Sequence, residues 1–136
     1  MVAILLTVSA IAIPNFTSAL LSARNARTVA DIHNIGELVI GYAAVNNAQY
    51  PNALADVDAD KLRDPWGNPY QYLNLTNPAS AAFARTDLLG MPINHAFDLY
   101  SLGPDGLSAP SIMAPQSQDD IIYAADGDYI GLAYLY

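Results

Sequence analysis

MVAILLTVSAIAIPNFTSALLS, residues 1–22, carries no charged side chain, and the first charge of the chain is Arg24. A helix over this run would be about 33 Å long at 1.5 Å per residue, enough to cross the hydrocarbon core of a bilayer. Left bare in water, an apolar helix of this size would aggregate. The reading is therefore a segment that starts in a membrane and later buries the same surface elsewhere. Pro14 interrupts the run, and a proline inside a helix deletes a backbone donor and crowds the carbonyl four residues back. A kink or local loss of helix is expected over about residues 6–14, with Thr7 and Ser9 placed to satisfy freed carbonyls. Beyond it Val29, Ile32, Ile35, Leu38, Val39 and Tyr42 recur at helical spacing. One long helix running to about Asn46 is expected, ended by Asn46-Asn47 and by Tyr50-Pro51.

The rest of the 136-residue chain is polar enough for one compact head. Segments at 70–73, 96–102, 121–124 and 129–136 are rich in Tyr, Leu and Ile and bounded by Gly, Pro, Asn and Asp, which predicts strands. A short helical turn is expected at 55–62, and irregular connections at 76–94 and 103–118. The fold class is α+β, a long N-terminal helix packed on a small antiparallel sheet. Residues 1–23 form the apolar half of the helix, and residues 24–136 form the head with the helix's second half.

Thirteen acids stand against five Lys and Arg, for a formal net charge of -8. Nucleic acid is excluded as a partner, because neutralising phosphates takes clustered cations. No cysteine is present, which removes disulfides and thiolate chemistry. No nucleophile elbow, HExxH or Gly-rich phosphate loop occurs, so the chain is not read as an enzyme. His33 and His95 are read as structural or surface residues, with His95 and Asp98 on opposite faces of a strand. The tyrosines are read as sheet packing, and Asn74-Leu75-Thr76 as a short glycosylation-type triplet.

Two motifs stand out. In Asp64-Pro65-Trp66-Gly67-Asn68-Pro69-Tyr70, Asp64 accepts from the turn, Pro65 fixes its angle and Gly67 permits a left-handed residue. The motif reads as a structural joint that packs Trp66 on the helix near Val39 or Tyr42. The second motif is Ser101-Leu102-Gly103-Pro104-Asp105-Gly106, followed later by Asp119-Asp120-Ile121. Spacing alone reads these as turn aspartates facing solvent, and Asp126 and Asp128 as a weaker acidic pair.

Taken with the apolar start ending in Ala10-Ile11-Ala12-Ile13-Pro14-Asn15-Phe16, these motifs resemble the type IV pilin superfamily, and within it the major pseudopilin of type II secretion systems. The resemblance covers most of the chain and implies a type IV pilin-like fold. It also implies a calcium site made by the Leu102 carbonyl with Asp105, Asp119 and Asp120, which suits an ion that takes six to eight oxygens. The family's glutamate near the mature N-terminus has no counterpart before Glu37, which implies residues upstream of Met1. The 106–118 connection is long, and the tail at 127–136 has no place in the family pattern.

By resemblance, the chain is a structural subunit of a helical homopolymeric filament. The helix rests in the inner membrane before assembly, the head lies outside the cytoplasm, and the filament extends through the periplasm or to the cell surface. Its partners would be other copies of itself, minor pilin-like subunits and inner-membrane assembly machinery. Two alternatives stay open: a surface type IV pilus for adhesion or motility, and a membrane-tethered calcium-binding module that never polymerises.

Overall fold

The computed structural model describes the backbone from Val2 and the side chains from Ile13 to Tyr136. Helix α1 spans Val2–Val45, 44 residues, or about 66 Å. Pro14 lies inside it, and the helix runs on through that position without the expected local loss of helix. Thr17 Oγ1 donates to the carbonyls of Ile13 and Pro14 at 3.2 and 3.0 Å, a local side-chain bond beside the proline. Thr7 and Ser9 have side chains outside the described residues. So does much of the apolar run, and among the described residues no helix is long and apolar enough to cross a membrane. The helix stops where Asn47 and Ala48 take positive φ, 56° and 61°. The Ala48 N–H returns to the Ala43 carbonyl at 2.9 Å, closing the terminal carbonyls in a C-terminal turn.

Four strands follow: β1 Gln71–Asn74, β2 Phe97–Ser101, β3 Ile121–Ala124 and β4 Tyr129–Leu132. They pair in the order β1-β2-β3-β4, every neighbour antiparallel, with Leu99 opposite both Tyr72 and Tyr123. The expected tail strand is shorter than its sequence suggests, because Ala133–Leu135 close into a 3-10 turn. A second 3-10 turn, Leu54–Val57, replaces the helical turn expected at 55–62. The 76–94 connection holds a short unanticipated helix, α2 Pro78–Ala81, capped by the Asn77 side chain accepting from the Ala79 N–H.

Two layers of core result. On one face of the sheet, Phe97, Leu99, Ile121 and Tyr123 meet Ile32, Ile35 and Val39 of α1, with Trp66 half-buried at the margin. Phe97 stacks on Tyr123 with centroids 4.9 Å apart. Gly36 lets α1 approach closely, since a Cβ there would sit 3.1 Å from the Tyr123 ring. On the opposite face, Ile122, Ala124, Ile93, Ile112 and Ala133 form a second cluster under the long connections, flanked by Tyr100 and Tyr129.

The joint expected at residues 64–70 is built as its chemistry suggests. Asp64 Oδ1 accepts from the N–H groups of Trp66 and Asn68 at 3.1 and 2.9 Å, and Gly67 has φ 93°. Asp64 Oδ2 accepts from the Ser101 hydroxyl at 2.6 Å, which in turn accepts from the Gly103 N–H at 3.1 Å. The turn is thereby bonded to the end of β2 and to the loop beyond it. Tyr70 donates its hydroxyl to Asp31 Oδ2 at 2.7 Å, joining the same segment to α1. Burial and the facing Asp31 carboxylate raise the Tyr70 phenol, so it stays a donor.

Ile35→Ala empties a site with no solvent exposure and is expected to destabilise the head by about 2–5 kcal/mol. Leu38→Ala, at a position 49% exposed, should change stability by less than about 0.5 kcal/mol. Chemical denaturation followed by Trp66 fluorescence checks both.

Candidate cation site

The loop after β2 turns twice, with Gly103 and Gly106 at φ 63° and 68°. Gly103 is the tighter constraint, because a Cβ there would come within 2.3 Å of the Asp119 carbonyl oxygen. Only glycine gives both the left-handed backbone and that approach. The loop thus lies directly on the segment that leads into β3, and it brings Asp105 to Asp119. The Asp105 N–H donates to Asp119 Oδ2 at 3.2 Å, and Asp105 Oδ1 accepts from the Leu107 N–H at 2.8 Å. Burial pushes the Asp119 carboxyl up, and the Asp105 charge adds to the rise against the Asp105 N–H bond. Asp119 Oδ1 is sealed from solvent and has no hydrogen-bond partner.

Asp120 lies elsewhere. In an extended chain successive side chains take opposite sides, and Asp120 falls on the side of Ile122, in the layer away from α1. There Asp120 Oδ2 accepts from Arg85 Nη2 at 2.7 Å and from the Ser108 hydroxyl at 2.5 Å. Arg85 Nη1 donates to Ser108 at 2.7 Å, and the guanidinium stands 3.9 Å above the Tyr100 ring. Arg85 is 3% exposed and Asp120 fully buried, which makes this an internal ion pair. Burial raises the Asp120 carboxyl to about 6, opposed by the Ser108 and Arg85 bonds. The Arg85 N–H also donates to Asp98 Oδ2 at 2.7 Å, and Asn94 Nδ2 holds the other Asp98 oxygen at 3.0 Å. One arginine therefore fastens both long connections to the outer face of the sheet.

The sequence-predicted set therefore separates. Asp105 and Asp119 come together, half-buried Leu102 stands just before Gly103, and Asp120 turns one oxygen to Arg85 while Asp120 Oδ1 has no partner. Of the weaker pair, Asp126 is occupied by His95, whose backbone N–H and Nδ1 lie 2.8 and 2.6 Å from its two oxygens. Burial works against ionisation of Asp126, but these bonds prevail and hold its carboxyl below the usual range. Asp98 faces Arg85 and not His95, so no His-Asp pair forms at the strand. Among the described residues no three His, Asp or Glu side chains gather closely enough to hold a metal ion alone.

A cavity of about 540 Å³ opens beside Asp105 and Asp119, walled on one side by α1 through Ser22 and Asn25 and on another by Leu132 and Tyr134. No basic side chain lines it. Asp105 and Asp119 together supply two carboxylates here, fewer oxygens than the six to eight that calcium takes. Arg85 and Asn25 were the residues missed in the sequence. Arg85 is the only Lys or Arg after Arg63, a lone cation among acids that could have prompted a search for a pair.

Arg85→Ala leaves Asp120 buried without its cation and is expected to cost about 3–5 kcal/mol, measured by chemical denaturation. Asp105→Ala should lower the melting temperature in calcium-containing buffer alone, a loss of about 3 kcal/mol at one hundred times the dissociation constant. An equal loss with chelator present would assign Asp105 a different role. Comparison of the chain with protein-family models finds no match, and searches of curated proteins and of solved structures find none either.

Proposed function

We propose that this chain is a structural subunit of a helical pilin-like filament, assembled through its N-terminal apolar helix and similar to the major pseudopilin of type II protein secretion. The observation that carries the reading is the division of α1. Its buried side chains, among the described residues, are Thr28, Ile32, Ile35, Val39 and Ala43, all in the half held by the sheet. Toward the N-terminus Ile13 and Phe16 are 63 and 69% exposed, and Leu20 and Leu21 are also exposed. An apolar shaft that its own head leaves uncovered requires either lipid or protein around it.

In a filament each shaft packs on the shafts of other copies, so lipid contact is exchanged for protein contact with little loss of hydrophobic burial. The membrane holds the subunit before assembly, minor pilin-like subunits and inner-membrane machinery start the polymer, and the heads form its outer surface. Calcium bound at Asp105 and Asp119 stabilises the loop that joins β2 to β3. The chain does no catalysis in this role.

Phe16→Asp puts a carboxylate on the surface that packing would bury, at a cost of several kcal/mol per subunit contact. Expected is the loss of filaments in negative-stain electron microscopy of sheared cells, with the head's melting temperature unchanged. Filaments as abundant as those of the unaltered chain would sink the proposal.

A further inference from the structure

The chain has five Lys and Arg, and the fold distributes them unevenly. Arg85 is 3% exposed and paired with Asp120 in the outer layer. The other four gather at the end of the head where α1 leaves it. Arg24 and Arg27 follow directly on the uncharged run of residues 1–22, and the Arg27 side chain is 66% exposed. The Asp31 oxygen that lies 3.8 Å from Arg27 Nε also accepts the Tyr70 hydroxyl at 2.7 Å. From there β1 runs toward the other end of α1, since Tyr72 donates to the Pro51 carbonyl and Asn74 to that of Tyr50. The residues just before Tyr70 therefore lie on the shaft side. Arg63 bridges to Pro69 there, and Lys61, Leu62 and Arg63 are all exposed. Arg63 Nη1 is fixed by the carbonyls of Asp60 and Leu62 at 2.9 and 2.8 Å, and half-buried Trp66 stands just beyond.

At 3.6 residues per turn Arg24, Arg27 and Asp31 share one face of α1, whereas Ser18, Ser22 and Asn25 turn the opposite way, toward Asp105 and Asp119. Those two carboxylates are not placed to neutralise the arginines. Asp31 is engaged by Tyr70 and Asp64 by its own turn, which leaves Asp58 and Asp60 as the exposed acids beside four cations. An uncharged run about 33 Å long matches the hydrocarbon core, so Arg24 and Arg27 fall at the depth of the lipid phosphates. We propose that Arg24, Arg27, Lys61 and Arg63 form a cationic rim that seats the head on the phosphates of anionic phospholipid while the shaft is in the membrane. The proposal rests on the membrane stage of the function proposed above. Guanidinium forks match phosphate oxygens, and Leu62 and Trp66 suit the boundary between headgroups and acyl chains, where Trp is favoured. Each such cation holds an anionic surface only weakly, so filament assembly can lift the head away.

The test uses the full chain reconstituted in vesicles of phosphatidylcholine, alone or with about 30% phosphatidylglycerol. A spin label on the headgroups quenches Trp66, the single tryptophan, and flotation of the vesicles reports insertion of the shaft. Trp66 should be quenched at least about twofold more in the anionic vesicles, and about 1 M salt should erase the difference, because the screening length falls to about 3 Å. Arg27→Gln with Arg63→Gln should weaken the surface contact about fivefold per cation removed, with flotation and melting temperature unchanged. Equal quenching in the two lipids, a difference that salt does not touch, or a double variant quenched like the unaltered chain overturns the rim. The salt arm needs no variant, so the test survives a double variant that does not fold. A chain that floats without charge-dependent quenching removes the rim alone. A chain that floats with neither vesicle removes the rim and the membrane stage together.

Discussion

The contact between the Ile32, Ile35 and Val39 stripe of α1 and the Phe97, Leu99, Ile121 and Tyr123 face of the sheet determines where every other element can lie. It occupies one face of a sheet only four strands wide, so the other face has to be covered by the chain's own connections. Residues 76–94 and 103–118 are therefore long for a structural reason, since their Ile93 and Ile112 roof Ile122 and Ala124. The same contact sets how far α1 is gripped. Among the described residues, no side chain of α1 on the N-terminal side of Thr28 is fully buried against the head. A helix about 66 Å long and a sheet of strands four or five residues long cannot match in extent, and the excess is apolar.

Connections with little regular structure must satisfy their backbone and hold their course by side-chain bonds. Two buried carboxylates illustrate it, Asp64 on the helix side through Trp66, Asn68 and Ser101, and Asp120 on the outer side through Arg85 and Ser108. Each ties a turn to one of the two central strands or the residues next to it. Their stakes differ. Asp64 is met by neutral donors, whereas Asp120 faces a guanidinium whose own burial is tolerable only while the carboxylate stays. An apolar pair of similar volume would fill the same space, but it would not choose between the two loops. The forked guanidinium does, bonding Ser108 and Asp120 at once.

The helix, its buried stripe and the strand positions were legible because length and period outweigh local detail over such runs. Strand β3 sits at its expected residues, and β1 and β2 lie within a residue of theirs. The tail was misjudged because Ala133–Leu135 have strand-like composition but turn once pairing with β3 ends. The Pro78–Ala81 helix is too short to show a period, although Asn77-Pro78 is an N-cap followed by proline at the first helical position. Asp119 and Asp120 could have been separated in advance, since adjacent residues of an extended segment face opposite ways and Ile121 and Ile122 already divide between the two cores. That Arg85 would be the residue to receive Asp120 could not be read, because 35 residues separate them and only the closed loops bring them together.

The split of Asp119 from Asp120 gives the head two unlike ionic centres on opposite faces of one sheet. The outer one pairs a cation and an anion within the chain, and it holds the loops in place while Asp120 stays ionised. The inner one has anions and no cation, and it sits against the helix at the point where the head's grip begins. An ion that filled it would contribute stability that grows with the logarithm of its concentration, which the outer pair cannot do. Under the proposed function, an ion bound there would act on the junction between the folded head and the exposed apolar part of α1.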